Sequence, residues 1–307
     1  MTGQPFPKLI LLLLAIGLFG TQAFAWQNTQ GKLEHTRTLI KQNPDAAFLQ
    51  IKRLLNEALD EQDRYTAAVC YEQIGEVYYY QAAYSQALDN YYKAEKLFRN
   101  GKHMAELANT LIKIGETYYY NRQYPVALDI FEESLQIYTA LGNRRGIADA
   151  YGHIGQAYEK TKNYELATKY QNLALGELTH AGDRTGMAKI YENIGSIYED
   201  KLQLDSALHY FTLALELNIK NNNQMAQIEI INNLGDVYRK TDRYPEALQY
   251  TRRAAQLAET LNEPYQLASA YRDLARTFGL MGQYVKLWKP TSTTNTCSKK
   301  ISKANSN

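Results

Sequence analysis

The chain has 307 residues, of which 45% are hydrophobic and 21% are charged, so it has enough apolar side chains to form a core. Its net charge is +2, but Lys8 and the six cations that follow Asp273 supply seven positive charges, which leaves −5 for the rest. A mildly acidic body lacks the basic stripe that nucleic-acid-binding proteins present, so no nucleic-acid partner is expected.

Residues 1–25 have the pattern of a secretory signal peptide. Lys8 gives the positive start, residues 9–19 form an apolar run, and Ala23-Phe24-Ala25 is a small-residue cleavage site before Trp26. We therefore expect an exported protein, periplasmic or extracellular, without a membrane span in the mature chain. The alternative is an uncleaved membrane anchor.

From about residue 32 the sequence repeats itself every 40 residues. A small residue recurs at one position, and an aromatic residue recurs three positions later. The small residues are Gly75, Gly115, Gly155, Gly195, Gly235 and Ala275, and the aromatic residues are Tyr78, Tyr118, Tyr158, Tyr198, Tyr238 and Phe278. A fixed period of this length is typical of an array of stacked supersecondary units.

Each repeat is predicted to be a pair of antiparallel helices. A second small residue follows each glycine by 12 positions, at Ala87, Ala127, Ala167, Ala207 and Ala247. The glycine belongs to the first helix of the pair and the alanine to the second. Small side chains let the two backbones approach closely, and neighbouring repeats cover the apolar face that one pair leaves exposed.

Residues suited to helix ends recur with the same spacing. Side chains able to cap a helix start stand at Asp63, Asn143, Asp183 and Asn223. The residues that suit the left-handed end of the preceding helix are Gly142, Gly182, Asn222 and Asn262. Prolines that suit a first helical turn are Pro125, Pro245 and Pro264.

This pattern resembles the tetratricopeptide repeat (TPR) family. One repeat carries the family's large, small and aromatic positions as Tyr71, Ile74-Gly75, Tyr78, Ala87, Tyr91 and Ala94, and another carries them as Tyr151, Ile154-Gly155, Tyr158, Ala167 and Ala174. The usual repeat has about 34 residues. The 40-residue length is similar to that of the Pins-type and Rap-type subfamilies, and this similarity implies binding of peptides or proteins.

The repeats are placed near 32–62, 63–102, 103–142, 143–182, 183–222 and 223–262, with a partial repeat at 263–288. In the first repeat, helices are expected at 32–41 and 44–58, after a short linker. Residues 289–307 are polar and basic, which indicates either a disordered tail or a chain cut short or shifted out of frame. If no helix caps the partial repeat, its apolar face would favour self-association.

No catalytic arrangement is visible. The five histidines share no metal-ligand spacing with one another or with a cysteine, and no phosphate-binding glycine loop is present. Cys70 is expected to behave as a small apolar residue, and Cys297 lies in the tail. We therefore expect a non-enzymatic protein that has no metal site and needs no cofactor.

Tyrosine is abundant, with 26 residues. Repeat positions explain 14 of them, but not Tyr79, Tyr80, Tyr119 and Tyr120, which end the first helices of two adjacent repeats. They are predicted either to form an aromatic patch for partner recognition or to fill the joint between helix ends.

In TPR arrays the first helices line the concave surface, so the resemblance implies a binding face there. Besides the four tyrosines, helical spacing from each glycine selects as candidates Glu72, Glu76, Glu116, Gln156, Glu159, Glu192, Asn232, Asp236, Arg239 and Arg272. The face changes from acidic and aromatic to basic along the chain, which would orient a bound peptide. The alternative is an ordinary solvated helix face.

The sequence thus predicts an all-α, right-handed α-solenoid of about six and a half TPR-like helix pairs. We expect an exported scaffold that binds a protein or peptide through its concave face. A second interpretation is the sensor input domain of a bacterial signalling protein whose transmembrane and output modules are missing.

Overall fold

The computed structural model describes residues 27–282, and their regular secondary structure is entirely α-helical. They form two compact units, residues 27–163 and 164–282. The signal-peptide prediction, the tail prediction, Cys297 and the last residues of the partial repeat, 283–288, lie outside the described residues. None of the described helices is both long and apolar enough to span a bilayer.

Thirteen helices run through the described chain. The first unit contains α1 (residues 27–42), α2 (Pro44–Asp60), α3 (Arg64–Tyr80), α4 (Tyr84–Gly101), α5 (Met104–Tyr120), α6 (Tyr124–Ala140) and α7 (Arg144–Lys160). The second unit contains α8 (Tyr164–Ala181), α9 (Arg184–Asp200), α10 (Leu204–Lys220), α11 (Gln224–Lys240), α12 (Tyr244–Thr260) and α13 (Pro264–Leu280).

Odd-numbered helices are the first helices of their repeats, and even-numbered helices are the second. From α2 to α7 and from α8 to α13, consecutive helices pack side by side, and short turns make them antiparallel. In the first unit α5 also contacts α7, and in the second unit α11 contacts α13. This pattern confirms the predicted all-α class built from TPR-like helix hairpins.

The first helix is longer than expected, because it begins at residue 27 and not at 32. Its buried residues Leu33 and Ile40 hold it in the core, and Thr36 donates a hydrogen bond to Gln73 Oε1 at 2.6 Å. Once such contacts anchor a helix, each further residue adds one hydrogen bond at a small entropic cost. The expected linker before Lys32 is therefore helical from residue 27 onward.

The predicted N-caps are confirmed at all four positions. Backbone N–H groups donate to the side chains of Asp63 at 3.0 Å, Asn143 at 3.1 Å, Asp183 at 3.0 Å and Asn223 at 3.3 Å. Pro125, Pro245 and Pro264 lie in first helical turns, as predicted. Each cap satisfies a backbone donor that the helix itself leaves unpaired.

The left-handed turn residues are also confirmed, with φ values of +64° at Gly142, +65° at Gly182, +53° at Asn222 and +58° at Asn262. Gly282 has the same conformation, and the sequence did not reveal that seven non-glycine turn residues also adopt it, at Gln62, Ala82, Lys102, Arg122, Lys162, Leu202 and Asp242. In each turn before Gly282 the next N–H bonds a carbonyl five residues earlier, as in His103 N to Phe98 O at 2.9 Å. The hydrogen-bonded helix end, and not the residue type, therefore sets this backbone conformation.

The repeated glycines mark close contacts between the two helices of a hairpin. At four of the five repeated glycines, the residue 16 positions later packs against the glycine: Tyr91 on Gly75, Phe131 on Gly115, Phe211 on Gly195 and Thr251 on Gly235. Tyr91, Phe131 and Phe211 are almost completely buried. A Cβ atom at Gly115 would overlap the Phe131 ring, so only glycine allows this spacing there.

We therefore expect Gly115→Ala to destabilise the protein by about 1–3 kcal/mol, because it overpacks the contact with Phe131. The matched control is Gly176→Ala in α8, where an added Cβ has no neighbour within 4 Å. This change should stabilise the chain by about 0.5–1 kcal/mol, since glycine disfavours a helix interior. Urea unfolding followed by circular dichroism measures both effects, and equal midpoints for the two variants would contradict the packing argument.

Candidate partner-binding face

The four unexplained tyrosines form one aromatic cluster at the C-terminal ends of α3 and α5. The Tyr79 ring lies edge-on to Tyr80 at 5.7 Å and to Tyr120 at 5.8 Å between centroids. Tyr119 lies edge-on to Tyr120 at 5.2 Å. These four residues, here named the tyrosine cluster, therefore connect two adjacent repeats.

The two sequence-based alternatives for these tyrosines both describe part of the cluster. Tyr79 contacts Tyr84 and Tyr119 contacts Tyr124, each at the start of the following second helix, so the inner rings fill the joints. Tyr80 and Tyr120 are 51% and 56% exposed. Edge-to-face packing thus supports two exposed phenol rings on two half-buried ones.

Burial, followed by the charge of Glu116, raises the pKa of Tyr79, and burial raises the pKa of Tyr119 to about 12. Both hydroxyl groups are therefore neutral over the physiological range. A neutral phenol can both donate and accept a hydrogen bond.

Glu72 and Glu76 belong to an ion cluster with Lys113 on α5. Lys113 Nζ donates to Glu72 Oε1 at 2.9 Å and to Glu76 Oε2 at 3.1 Å, and Thr110 Oγ1 donates to Glu72 Oε2 at 2.6 Å. Glu72 is only 4% exposed, whereas Glu76 is partly exposed. Glu72 therefore ties α3 to α5, and Glu76 is the carboxylate that remains accessible.

Burial by itself raises the pKa of Glu72, but the charge of Lys113 and the hydrogen bonds from Lys113 and Thr110 bring it below its ordinary value. Burial likewise works against the charge on Lys113, but the two carboxylates raise the pKa of its ammonium group. Glu72 and Lys113 are thus ionised at neutral pH, and by formal charge the three side chains carry one more negative than positive charge.

The remaining candidates of the first unit have different environments. Glu116 is partly exposed, and its carboxylate lies 3.7 Å from His153 Nε2 on α7. His153 is stacked on Phe131 and also lies 3.6 Å from Asp149. Glu159 is buried and pairs with Lys160 at 2.8 Å, while Gln156 is partly exposed.

In the second unit, Asp236 and Arg239 form an ion pair on α11. Lys240 bonds Asp236 at 3.0 Å and reaches Glu199 on α9 at 2.7 Å. Burial, followed by the charge of Arg276, lowers the pKa of Arg239. These candidates are therefore engaged with one another, whereas Arg272 is exposed.

Glu192 on α9 lies among polar but poorly matched neighbours. It accepts one hydrogen bond, from Asn233 Nδ2 at 3.3 Å, and Glu229 adds a repelling charge. Burial, then Glu229, raises the pKa of Glu192 to about 7, and Lys189 and Asn233 oppose this shift only in part. The next candidate in chain order is Asn232 on α11. Its buried side-chain oxygen, Oδ1, has no hydrogen-bond partner within residues 27–282.

The sequence analysis missed Lys113 and Asn233, which lie 41 residues after Glu72 and Glu192. Several contacts between neighbouring first helices join residues separated by 37 to 41 positions, such as Thr36 with Gln73 and Lys240 with Glu199. A search for complementary charges at this separation would have found Lys113. Within residues 27–282 no group of three or more His, Cys, Asp or Glu side chains is placed to hold a metal ion.

Comparison with known protein families identifies the repeats. A profile described as tetratricopeptide repeat matches residues 106–176 and 225–286, and a second profile of the same description matches residues 188–221. A profile described as soluble NSF attachment protein, SNAP, matches residues 30–136. A search of curated protein sequences found no match.

Three solved structures of similar fold share 17–18% sequence identity with the chain. NprR in complex with its cognate peptide NprX gives a TM-score of 0.64 at 18% identity, and the match covers 98% of this chain and 84% of NprR. A Rap protein complexed with competence and sporulation factor gives 0.62 at 17% identity, covering 84% and 94%. A signal transduction ATPase with a TPR sensor from Pyrococcus horikoshii gives 0.66 at 18% identity, covering 83% and 39%.

The helix hairpins and the matched profiles define a solenoid-type chain that contains tetratricopeptide repeats. The matched profiles describe repeat and attachment proteins, and none of them describes a catalytic family. Of these structures of similar fold, NprR holds its cognate peptide and the Rap protein holds competence and sporulation factor.

Because the pKa of Glu192 is raised, the stability of the folded protein should depend on pH. Its pKa is raised from 4.5 to about 7 on folding, so between these values the folded chain holds a proton that the unfolded chain releases. Stability should therefore fall as the pH rises through this window. We expect Glu192→Gln to stabilise the protein by about 1–3 kcal/mol at about pH 8 and to change little at about pH 5.

Glu72→Gln is the matched control, because its carboxylate is paired. This change leaves Lys113 with one carboxylate fewer and should destabilise the protein by about 3–5 kcal/mol near neutral pH. Urea unfolding at several pH values measures both variants. The same free-energy change for Glu192→Gln at low and high pH would show that Glu192 does not titrate in this range.

Proposed function

We propose that the protein is a non-catalytic scaffold that binds a protein or peptide through its first helices. The tyrosine cluster is the observation that carries this proposal. Tyr80 and Tyr120 stand on an edge-to-face base that spans two repeats, so they present apolar area and hydroxyl groups in fixed positions. Rigid aromatic side chains of this kind contribute much of the binding energy at protein interfaces.

The charges beside the cluster define which partners fit. Glu76 and Glu116 lie on the same helices and are partly exposed, while Glu72, Lys113 and Glu76 together hold a net negative charge. An aromatic surface beside carboxylates is complementary to a segment that carries apolar side chains and a cation. We assign the remaining candidates of this unit, Gln156 and Glu159, to the flank of the same surface.

The complexes of NprR with its cognate peptide and of the Rap protein with competence and sporulation factor support this assignment, since their fold is shared over most of the chain. The predicted signal peptide at 1–25 supports a place of action outside the cytoplasm. A second candidate function is sensory input to a signalling protein. It is favoured by the similarity to a signal transduction ATPase whose TPR part is described as a sensor and of which this chain covers only 39%.

A peptide library displayed on phage tests the binding function. We expect the full chain to enrich peptides with aromatic and cationic residues, and the double variant Tyr80→Ser, Tyr120→Ser to weaken their binding by about 10-fold or more, since hot-spot tyrosines contribute 2 kcal/mol or more in total. The matched control is Tyr265→Ser, because Tyr265 is 89% exposed but belongs to α13 of the second unit and not to the cluster. Equal loss in both variants, or no loss in the double variant, would refute the tyrosine cluster as the site.

Cellular location is tested separately. If residues 1–25 are a cleaved signal peptide, the protein recovered from a bacterial envelope fraction should begin at Trp26, because signal peptidase cuts after a small-x-small motif. Amino-terminal sequencing and intact mass measure this. Recovery of a chain that still begins at Met1 from the cytoplasm would rule out export, and recovery from the membrane would favour the anchor alternative.

A further inference from the structure

The same pair of repeat positions holds a glutamate and a charged donor in the first unit, but a glutamate and a neutral donor in the second unit. Glu72 and Glu192 both stand three residues before a repeat glycine, and 120 residues separate them, which is three periods. Lys113 and Asn233 both stand two residues before the next glycine and are also separated by 120 residues. Among the six repeats, glutamate occupies the first of these positions only in these two.

The backbone register makes the two sites comparable. In the first unit Lys113 Nζ donates to Glu72 Oε1 at 2.9 Å. In the second unit Asn233 Nδ2 donates to Glu192 Oε1 at 3.3 Å. The same acceptor oxygen therefore receives a donor from the same position of the next first helix, but the donor is neutral in the second unit.

The second site is short of positive charge. Thr110, which supplies a further hydrogen bond to Glu72, is matched by Ile230 at the equivalent position, so no hydroxyl is available there. The facing charges are Glu229 on α11, which repels Glu192 and accepts from Gln266 on α13, and Lys189 on α9 itself. Within residues 27–282 no lysine or arginine forms an ion pair with Glu192.

The side chain of Glu192 is open to groups from outside this chain. Glu192 itself is only partly buried, so a group from outside can reach it.

We propose that Glu192, with Asn233, receives the ammonium group of a partner's lysine side chain, in the position that Lys113 Nζ occupies against Glu72 in the first unit. The protein thus satisfies one glutamate with its own lysine and leaves the equivalent glutamate for a ligand. This proposal deepens the proposed function, because it names a chemical group that the bound peptide or protein contributes to the second unit.

An ammonium group fits better than a metal ion or a large cation. Within the described residues no group of three or more His, Cys, Asp or Glu side chains is placed to hold a metal ion, so Glu192 and Glu229 do not form part of such a group. The first unit shows that this helix spacing accommodates a primary ammonium group between carboxylates. Lysine also carries its charge on a long flexible stem, which suits entry into a partly buried site.

Carbon-13 NMR of the full chain, with labelled glutamate carboxyl carbons, tests the proposal without the natural partner. The Glu192 signal is identified by its loss in Glu192→Gln. Nα-acetyl-lysine methylamide serves as the probe at constant ionic strength, and its Nε-acetylated form serves as the neutral control. Because an ammonium binds the ionised carboxylate, the amine probe should lower the titration midpoint of Glu192 and the neutral control should not.

Asn233→Lys provides the internal positive control. It copies Lys113 and should lower the Glu192 midpoint by about one pH unit or more, since an opposite charge within about 4–6 Å has this effect. It should also abolish the response to the amine probe. The reverse change, Lys113→Asn, should make the Glu72 signal respond to the probe.

Two results would overturn the proposal. If Asn233→Lys leaves the Glu192 midpoint unchanged, the two sites are not equivalent. If Asn233→Lys lowers the midpoint but the amine probe does not, even at high millimolar concentration, Glu192 exchanges protons but accepts no external ammonium. Neither result depends on the tyrosine cluster, so peptide binding lost on mutation of Tyr80 and Tyr120 would still support the proposed function.

Discussion

The contact between a glycine on the first helix and an aromatic ring on the second helix sets the geometry of the repeat. Tyr91, Phe131 and Phe211 each fill the space that the glycine 16 residues earlier leaves open, and each is almost completely buried. Because a Cβ atom would overlap the ring at these places, the distance between the two helices is fixed within narrow limits. That distance determines where each first helix lies against the next, and the proposed binding face consists of first helices.

The constant spacing brings the same positions of successive repeats together, but their chemistry differs. In the first unit, Lys113 bonds Glu72 and Glu76 and stabilises an ionised cluster beside the tyrosines. In the second unit, the equivalent position holds Asn233, and the pKa of Glu192 rises to about 7. A repeat fold thus keeps its backbone constant while single substitutions convert a structural ion pair into a site that lacks a cation.

In both proposed sites, packing fixes the positions of the side chains. It leaves two of the aromatic rings exposed and the charge of one carboxylate unbalanced within the described chain. Tyr80 and Tyr120 are held by Tyr79 and Tyr119 but remain more than half exposed, so binding would order few additional side chains. Glu192 is held beside Asn233 but carries an unbalanced charge near neutral pH. Such preorganised groups lose little entropy on binding, which is the physical advantage of building a recognition face on rigid helices.

The sequence by itself determined the helix hairpins, their 40-residue period, the caps at Asp63 and Asn143 and the left-handed turn at Gly142, because these depend on local spacing and on residues with strong backbone preferences. It selected the tyrosine cluster but could not separate buried from exposed rings. Only the tertiary structure decided that Glu72 is covered by Lys113 and Glu192 is not, since burial and charge pairing arise between helices about 40 residues apart. Helix 27–42 also began earlier than expected, because contacts with α3 stabilise a segment whose own sequence gives no helix signal.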